Sequence, residues 1–179
     1  YLTDKEYTFL NESEVTRRTP ILNSFMSNAK PTSLKIIAAL ISPFIVTPNL
    51  LKTINIDGKF HYRLKCITPQ DPSHHNFKEN VHVLINVNSF SASSSMSTHL
   101  KANKRAIFVG QESGGAYNGT VARIFYNYKL PNSKILIHMG MMQVDAPQKV
   151  DPDGYGVKAD VEIIPTISNK ENGIDGALD

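Results

Sequence analysis

The segment Val81-His82-Val83-Leu84-Ile85-Asn86-Val87 constrains this chain more than any other, because five of its seven residues are aliphatic and four of those are β-branched. Such a run does not alternate between core and water, so it predicts a central strand buried on both faces. It leads into Asn88-Ser89-Phe90-Ser91-Ala92-Ser93-Ser94, small and polar residues that open helices, and Met96, His99, Leu100 and Ala102 continue the helix. Ala106-Ile107-Phe108-Val109, ending in Gly110, then predicts a second buried strand. Strand, helix and strand within about 30 residues make a βαβ unit, which requires a parallel sheet covered by helices. The expected fold class is α/β.

The rest of the chain is arranged around that unit. Its 179 residues, 41% hydrophobic and 20% charged, suit one domain with a real core. Thr19-Pro20 predicts a helix start, with Ile21, Leu22, Phe25, Met26 and Ala29 on one face. Leu34 to Leu51 predicts a buried or lid helix ending near Pro43; Lys35, Pro43 and Pro48 interrupt it too often for a membrane span. Asp57-Gly58 sits between alternating runs and predicts a two-residue hairpin turn. Residues 68–80 read as a loop, residues 121–129 and 134–140 as strands, and Asp160 to Ile164 as a last short strand. Residues 1–80 are therefore expected to form a helical and hairpin insertion or cap region, distinct from residues 81–179.

Several classes of function drop out. Net charge is +3 and the pI about 8.9, but the basic residues are scattered rather than gathered in a stripe, so no nucleic-acid partner is expected. One cysteine, Cys66, allows neither an internal disulfide nor a Cys-based zinc site. His74-His75 has no carboxylate at ligand spacing, and no metal or cofactor is expected. The chain has no initial Met, no signal-peptide pattern at Tyr1 and no closing element after Gly173, and it reads as a fragment or processed product.

Chemistry concentrates at the strand exit. A serine in a sharp turn between a strand and a helix can attack a carbonyl while the next backbone N–H holds the oxyanion. Ser91 fits that role best, with Ala92 N–H as the donor. The bland alternative is an ordinary N-cap, a position that serine favours for its own sake.

Four segments, in order, resemble the serine peptidase family of the C-terminal processing (tail-specific) proteases, the tricorn core and the interphotoreceptor retinoid-binding protein repeats. Ser89-Phe90-Ser91-Ala92-Ser93 is similar to the family's Thr-x-Ser-Ala-(Ala/Ser) nucleophile turn. Lys104 to Gly110 resembles Gly-Arg-Ala-x-x-Val-Gly, and Gln111-Glu112-Ser113-Gly114-Gly115 resembles Glu-x-Thr-x-Gly. Asp153-Gly154-Tyr155-Gly156-Val157-Lys158-Ala159-Asp160-Val161 resembles Glu-Gly-x-Gly-Val-x-Pro-Asp-Val. The resemblance covers about half the chain. It implies a crotonase/ClpP-like sheet layered with helices, with residues 81–179 as the C-terminal part of a peptidase catalytic domain. It implies a serine endopeptidase using an acyl-enzyme on Ser91, peptide or protein substrates, and an extracytoplasmic bacterial location (periplasm or cell envelope). Gly114, Gly115, Ala116 and Tyr117 would line the substrate cleft. A non-catalytic binding module on the same fold is the competing reading.

Departures from the family pattern refine the expectation. The processing proteases carry a general-base lysine twenty-five residues after the serine, where this chain has Ala116. The tricorn-like branch takes its base, a histidine, from a segment upstream of the part matched here, so the base is expected outside this chain. Of the histidines present, His99 lies eight residues along the helix from Ser91, about 12 Å away, beyond the roughly 3 Å reach of a base. His138 is mid-strand and the remaining alternative; His82 and His61 read as sheet residues. Asp153 replaces the family's Glu and is the expected orienting acid, with Asp151 next to it; the same Asp153-Gly154 pair also suits a plain turn.

Overall fold

In the computed structural model, residues 2–11, 13–18, 27 and 32–174 are described. The helix expected over Ile21, Leu22, Phe25, Met26 and Ala29 lies outside the described residues. Contacts gather the chain into two units, one of residues Tyr1–Phe9, Pro69–Thr120 and Ala146–Asp179, the other of Leu10–Thr68 and Val121–Asp145. This grouping does not follow a single break after residue 80. Strand β1 (Ser13–Val15) pairs antiparallel with β9 (Met142–Asp145), which returns a late segment to the early part of the chain.

In the second unit the expected hairpin is present. β2 (Thr53–Ile56) and β3 (Lys59–Tyr62) pair antiparallel around Asp57 and Gly58, whose φ angles of 50° and 84° are those a two-residue hairpin turn demands. The sheet order is β2-β3-β1-β9-β6, with β6 (Gly119–Val121) at its edge. Val15, Tyr62, Leu64, Ile124, Met141, Met142 and Val144 form its core. The stretch 121–129, expected as one strand, is two: Arg123 has φ 63°, which no strand tolerates, so β6 ends and β7 (Phe125–Lys129) starts afresh. Among the described residues β7 pairs only with β8 (Leu136–Gly140), in a separate antiparallel ribbon.

Helix α1 (Thr32–Lys52) runs through Pro43 instead of ending there. Pro43 has no N–H for the Ala39 carbonyl one turn back, and the Ser42 hydroxyl donates to that carbonyl instead, at 2.7 Å. One turn later Thr47 Oγ1 donates to the Pro43 carbonyl at 2.9 Å. Ile36, Leu40 and Phe44 on this helix are exposed rather than buried, against the reading of a buried helix. No helix among the described residues is long and apolar enough to cross a membrane.

The first unit carries the βαβ element. β4 (His82–Ile85) and β5 (Ile107–Gly110) are parallel, in register from His82–Ile107 to Ile85–Gly110, and joined by α2 (Ala92–Ala102). β10 (Val161–Glu162) extends the sheet on the other side of β5, giving the order β10-β5-β4. Ile85, Leu100, Phe108, Tyr117 and Val157 form the core, and truncating Phe108 to Ala is expected to cost about 3–5 kcal/mol. The expectation of a strand buried on both faces is corrected here. Among the described residues β4 is an edge strand, and Leu84 on β4 and Ile107 on β5 stay 48% and 47% exposed. The α/β class itself is as expected.

Asp160 joins three elements of this unit. One carboxylate oxygen accepts from Lys101 Nζ on α2 and the other from the Phe108 N–H on β5, at 2.9 Å for the latter. The Lys101 hydrogen bond, followed by the Phe108 N–H, holds the Asp160 carboxyl below its ordinary value. A carboxyl depressed in the folded state stabilises above its unfolded pKa, and that contribution fades as pH falls through the folded pKa. Asp160→Asn should therefore lower the thermal midpoint at neutral pH, and the two proteins should converge as the solution is acidified toward pH 3; calorimetry across that range is the measurement.

Candidate active site

β4 ends at Ile85, and residues 86–91 form the turn that starts α2. The turn is tied by its own polar groups. Asn86 N–H donates to Ser89 Oγ at 3.2 Å, Asn88 N–H to Asn86 Oδ1 at 2.9 Å, and Ser89 N–H to the Asn86 carbonyl at 2.8 Å. Ser93 Oγ donates to the Phe90 carbonyl at 2.9 Å. These bonds leave Ser91 at the N-cap position with φ 55° and ψ −114°. An L-residue meets steric conflict there, at a cost of about 1–3 kcal/mol.

Two observations separate Ser91 from an ordinary N-cap. An N-cap residue has extended backbone and its side-chain oxygen accepts a helix N–H. Ser91 has neither: its backbone is on the positive-φ side, and its side chain makes no capping hydrogen bond. Its hydroxyl is exposed at the strand exit, next to the Ala92 N–H, which begins the helix and donates to no acceptor among the described residues. The first N–H groups of a helix carry partial positive charge and suit a developing oxyanion. A nucleophile elbow has this arrangement.

The Gly-rich loop lies against that turn. Gly115 N–H donates to the Ser89 carbonyl at 3.1 Å. A Cβ on Gly115 would stand 2.6 Å from Ser94 Cβ and 3.1 Å from the Ser91 backbone nitrogen, and one on Gly114 would stand 2.0 Å from the Val87 carbonyl oxygen. Gly114 therefore excludes a side chain because the Val87 backbone passes too close, and Gly115 because the Ser94 side chain does. Ala116 is exposed beside them, and Tyr117 is buried in the core, its hydroxyl pKa raised by that burial. Among the residues expected to line a cleft, Gly114, Gly115 and Ala116 are thus brought to the serine turn, and Tyr117 anchors the far end of the loop.

The candidate acid sits elsewhere. Asp153 is exposed, and its Oδ1 accepts from Asn118 Nδ2 at 3.1 Å and from Gly154 N–H at 2.8 Å. Asn118 also exchanges hydrogen bonds with the Val150 backbone, so it organises the whole 150–154 loop. No hydrogen bond joins Asp153 to Ser91. The histidines are placed as structural groups: His99 is half-buried, stacked on Phe9 and held to its backbone, with its pKa lowered first by burial. His138 stacks on Phe125 and engages Asn127 Oδ1 through Nδ1. Among the described residues no group of three or more His, Cys, Asp or Glu side chains forms a metal site.

The sequence reading missed the supports of the loop. Ser94, expected only as a helix opener, is buried and donates to the Ala116 carbonyl at 3.0 Å, and buried Thr98 donates to the Tyr117 carbonyl at 3.1 Å. Ser113 Oγ accepts from Val157 N–H and donates to the Gly115 carbonyl, and the Glu112 carboxylate accepts from Gly156 N–H at 2.6 Å. One signal was visible: on a helix that must pack on a sheet, the buried positions Ser94, Ser97 and Thr98 carry hydroxyls where large apolar residues are the rule.

With this geometry in hand, comparison with known proteins is decisive on kinship. The family model for Peptidase family S41 matches residues 28–163. The chain belongs to peptidase family S41. Among solved structures, a serine-to-alanine mutant of CPAF is similar in fold, with a TM-score of 0.51 at 15% identity over 94% of this chain and 35% of that one. Mature CPAF gives 0.47 at 14% identity over 89% and 34%. The S41 chain described here thus spans about a third of the length of these structures. The curated proteins include no match to it.

Because Gly115 has no room for a methyl group, Gly115→Ala should displace either Ser94 or the Ser91 turn. We expect it to cost at least about tenfold in reactivity of Ser91 in the full-length protein, read as the rate of covalent labelling, while far-ultraviolet circular dichroism stays unchanged.

Proposed function

We propose that this S41 chain carries the nucleophile of a serine endopeptidase of the tail-specific/tricorn kind, which cleaves peptide or protein substrates. One observation carries the reading: the Ser91 backbone is held at positive φ with its hydroxyl left out of helix capping. Strain at that position has no structural use, since an ordinary cap would be more stable.

In this reaction Ser91 Oγ adds to the scissile carbonyl carbon as its proton passes to a general base. The carbonyl oxygen becomes an oxyanion facing the Ala92 N–H. Collapse breaks the C–N bond, the amine leaves with the proton returned by the base, and water hydrolyses the acyl-Ser91 ester by the same route. We place the base outside the described residues, since His99 and His138 are engaged by Phe9 and by Asn127. Asp153 is the proposed orienting acid, reached by rearrangement of the 150–154 loop. A peptide lying as an extended strand along Gly114, Gly115 and Ala116 suits a cleft wall made of backbone.

A fluorophosphonate probe tests the reading. The full-length protein should be labelled, Ser91→Ala should abolish labelling, and Ser93→Ala and Ser95→Ala should retain it. A thiol-blocking reagent on Cys66 should leave labelling unchanged. Labelling that survives in Ser91→Ala removes Ser91 as nucleophile, and no labelling of the unaltered full-length protein favours the non-catalytic binding module.

A further inference from the structure

The hydroxyls of Ser94 and Thr98 lie on one face of α2, four residues apart, and are buried to 2% and 1% exposure. Each donates to a consecutive carbonyl of the Gly-rich loop, Ser94 to Ala116 and Thr98 to Tyr117. Neither bond belongs to the backbone ladder of the helix. Nor do they build the apolar core, which Leu100, Phe108 and Val157 supply. Their effect is to fix where the loop backbone runs beside the Ser91 turn, in the direction that Gly115, tied to Ser89, leaves undetermined.

We infer that Ser94 and Thr98 are positioning residues that set the register of an extended peptide against the 114–117 loop, and so tune substrate binding rather than the reactivity of Ser91. This rests on the peptidase reading of the site. The physical ground is that a carbonyl turned toward the buried hydroxyls of α2 must, when deprived of its donor, find another partner or move. Gly115 N–H is tied to Ser89, the Gly115 carbonyl to Ser113 and Tyr117 N–H to Tyr155, so the Ala116 and Tyr117 carbonyls are the loop groups that depend on these two hydroxyls. A small electrophile that needs only Ser91 and the Ala92 N–H does not touch this wall, whereas a peptide several residues long lies along it.

The test uses Ser94→Ala, Thr98→Val and their combination in the full-length protein, with Thr98→Ser as the conservative rescue. Amide hydrogen exchange read at residues 115–118 is expected to quicken about tenfold or more in the double variant, with β4 and β5 unchanged and Thr98→Ser close to the parent. In the same proteins the fluorophosphonate labelling rate is expected to stay within about twofold while KM for a peptide substrate rises about tenfold with kcat little changed. Unaltered exchange at 115–118 overturns the inference. So does an equal loss of labelling and peptide turnover, which is the result of a merely structural role. If the parent itself is not labelled, the peptidase reading falls, and the clamp is then upheld or refuted by the exchange data alone, the substrate role falling with that reading.

Discussion

The site depends on how closely the Gly114-Gly115 backbone passes the turn that leaves β4. Gly115 is bonded to Ser89 backbone to backbone, and a Cβ has no room at Gly114 against the Val87 carbonyl or at Gly115 against the Ser94 side chain. This close approach shuts one side of the Ser91 turn, while the bonds of Asn86 with Ser89 and Asn88, and of Ser93 with Phe90, close the other. Between them Ser91 is held in its strained backbone conformation. A strained residue persists only when its surroundings over-determine it, and here the surroundings are the parallel β4–β5 pair below and the loop beside it.

The same construction divides labour among similar residues. Of the serines in the 89–95 run, Ser89 and Ser93 stabilise the turn, Ser94 reaches across to the Gly-rich loop, and Ser91 alone has a strained backbone and an unengaged hydroxyl. In the last matched segment, Asp160 plays the part of a clasp, bridging α2 and β5 through Lys101 and Phe108. Asp153 in the same segment is bound to Asn118 in its own loop. Two carboxylates seven residues apart in one motif are therefore used differently, one bridging a helix and a strand and one held within its own loop.

A good part of the fold was legible in the residues. The hairpin at Asp57-Gly58, the βαβ unit and the last strand beside Pro165 all follow from strong local signals: turn chemistry, a dense aliphatic run, a helix-opening cluster. What was missed has a common cause. β1 and β9 are three and four residues long, too short for periodicity to register, and they exist because they pair with each other across more than a hundred residues. The break at Arg123 depends on a backbone angle that no residue type announces. α1 survives Pro43 because Ser42 happens to supply the missing donor, a compensation invisible to a rule that ends helices at proline.

By itself the amino-acid order determined which serine to examine, because a β-branched run ending in small residues can only make a strand that stops sharply at a helix. It also determined the kinship, through four short motifs in the right order. Only tertiary structure decided that Ser91 is not an N-cap, since that distinction lies in φ, ψ and an absent hydrogen bond rather than in residue type. It also decided that Ser94 and Thr98 face the loop, because their partners are backbone carbonyls more than fifteen residues away. Backbone atoms carry no sequence signature, so contacts made to them become visible only when the chain has folded.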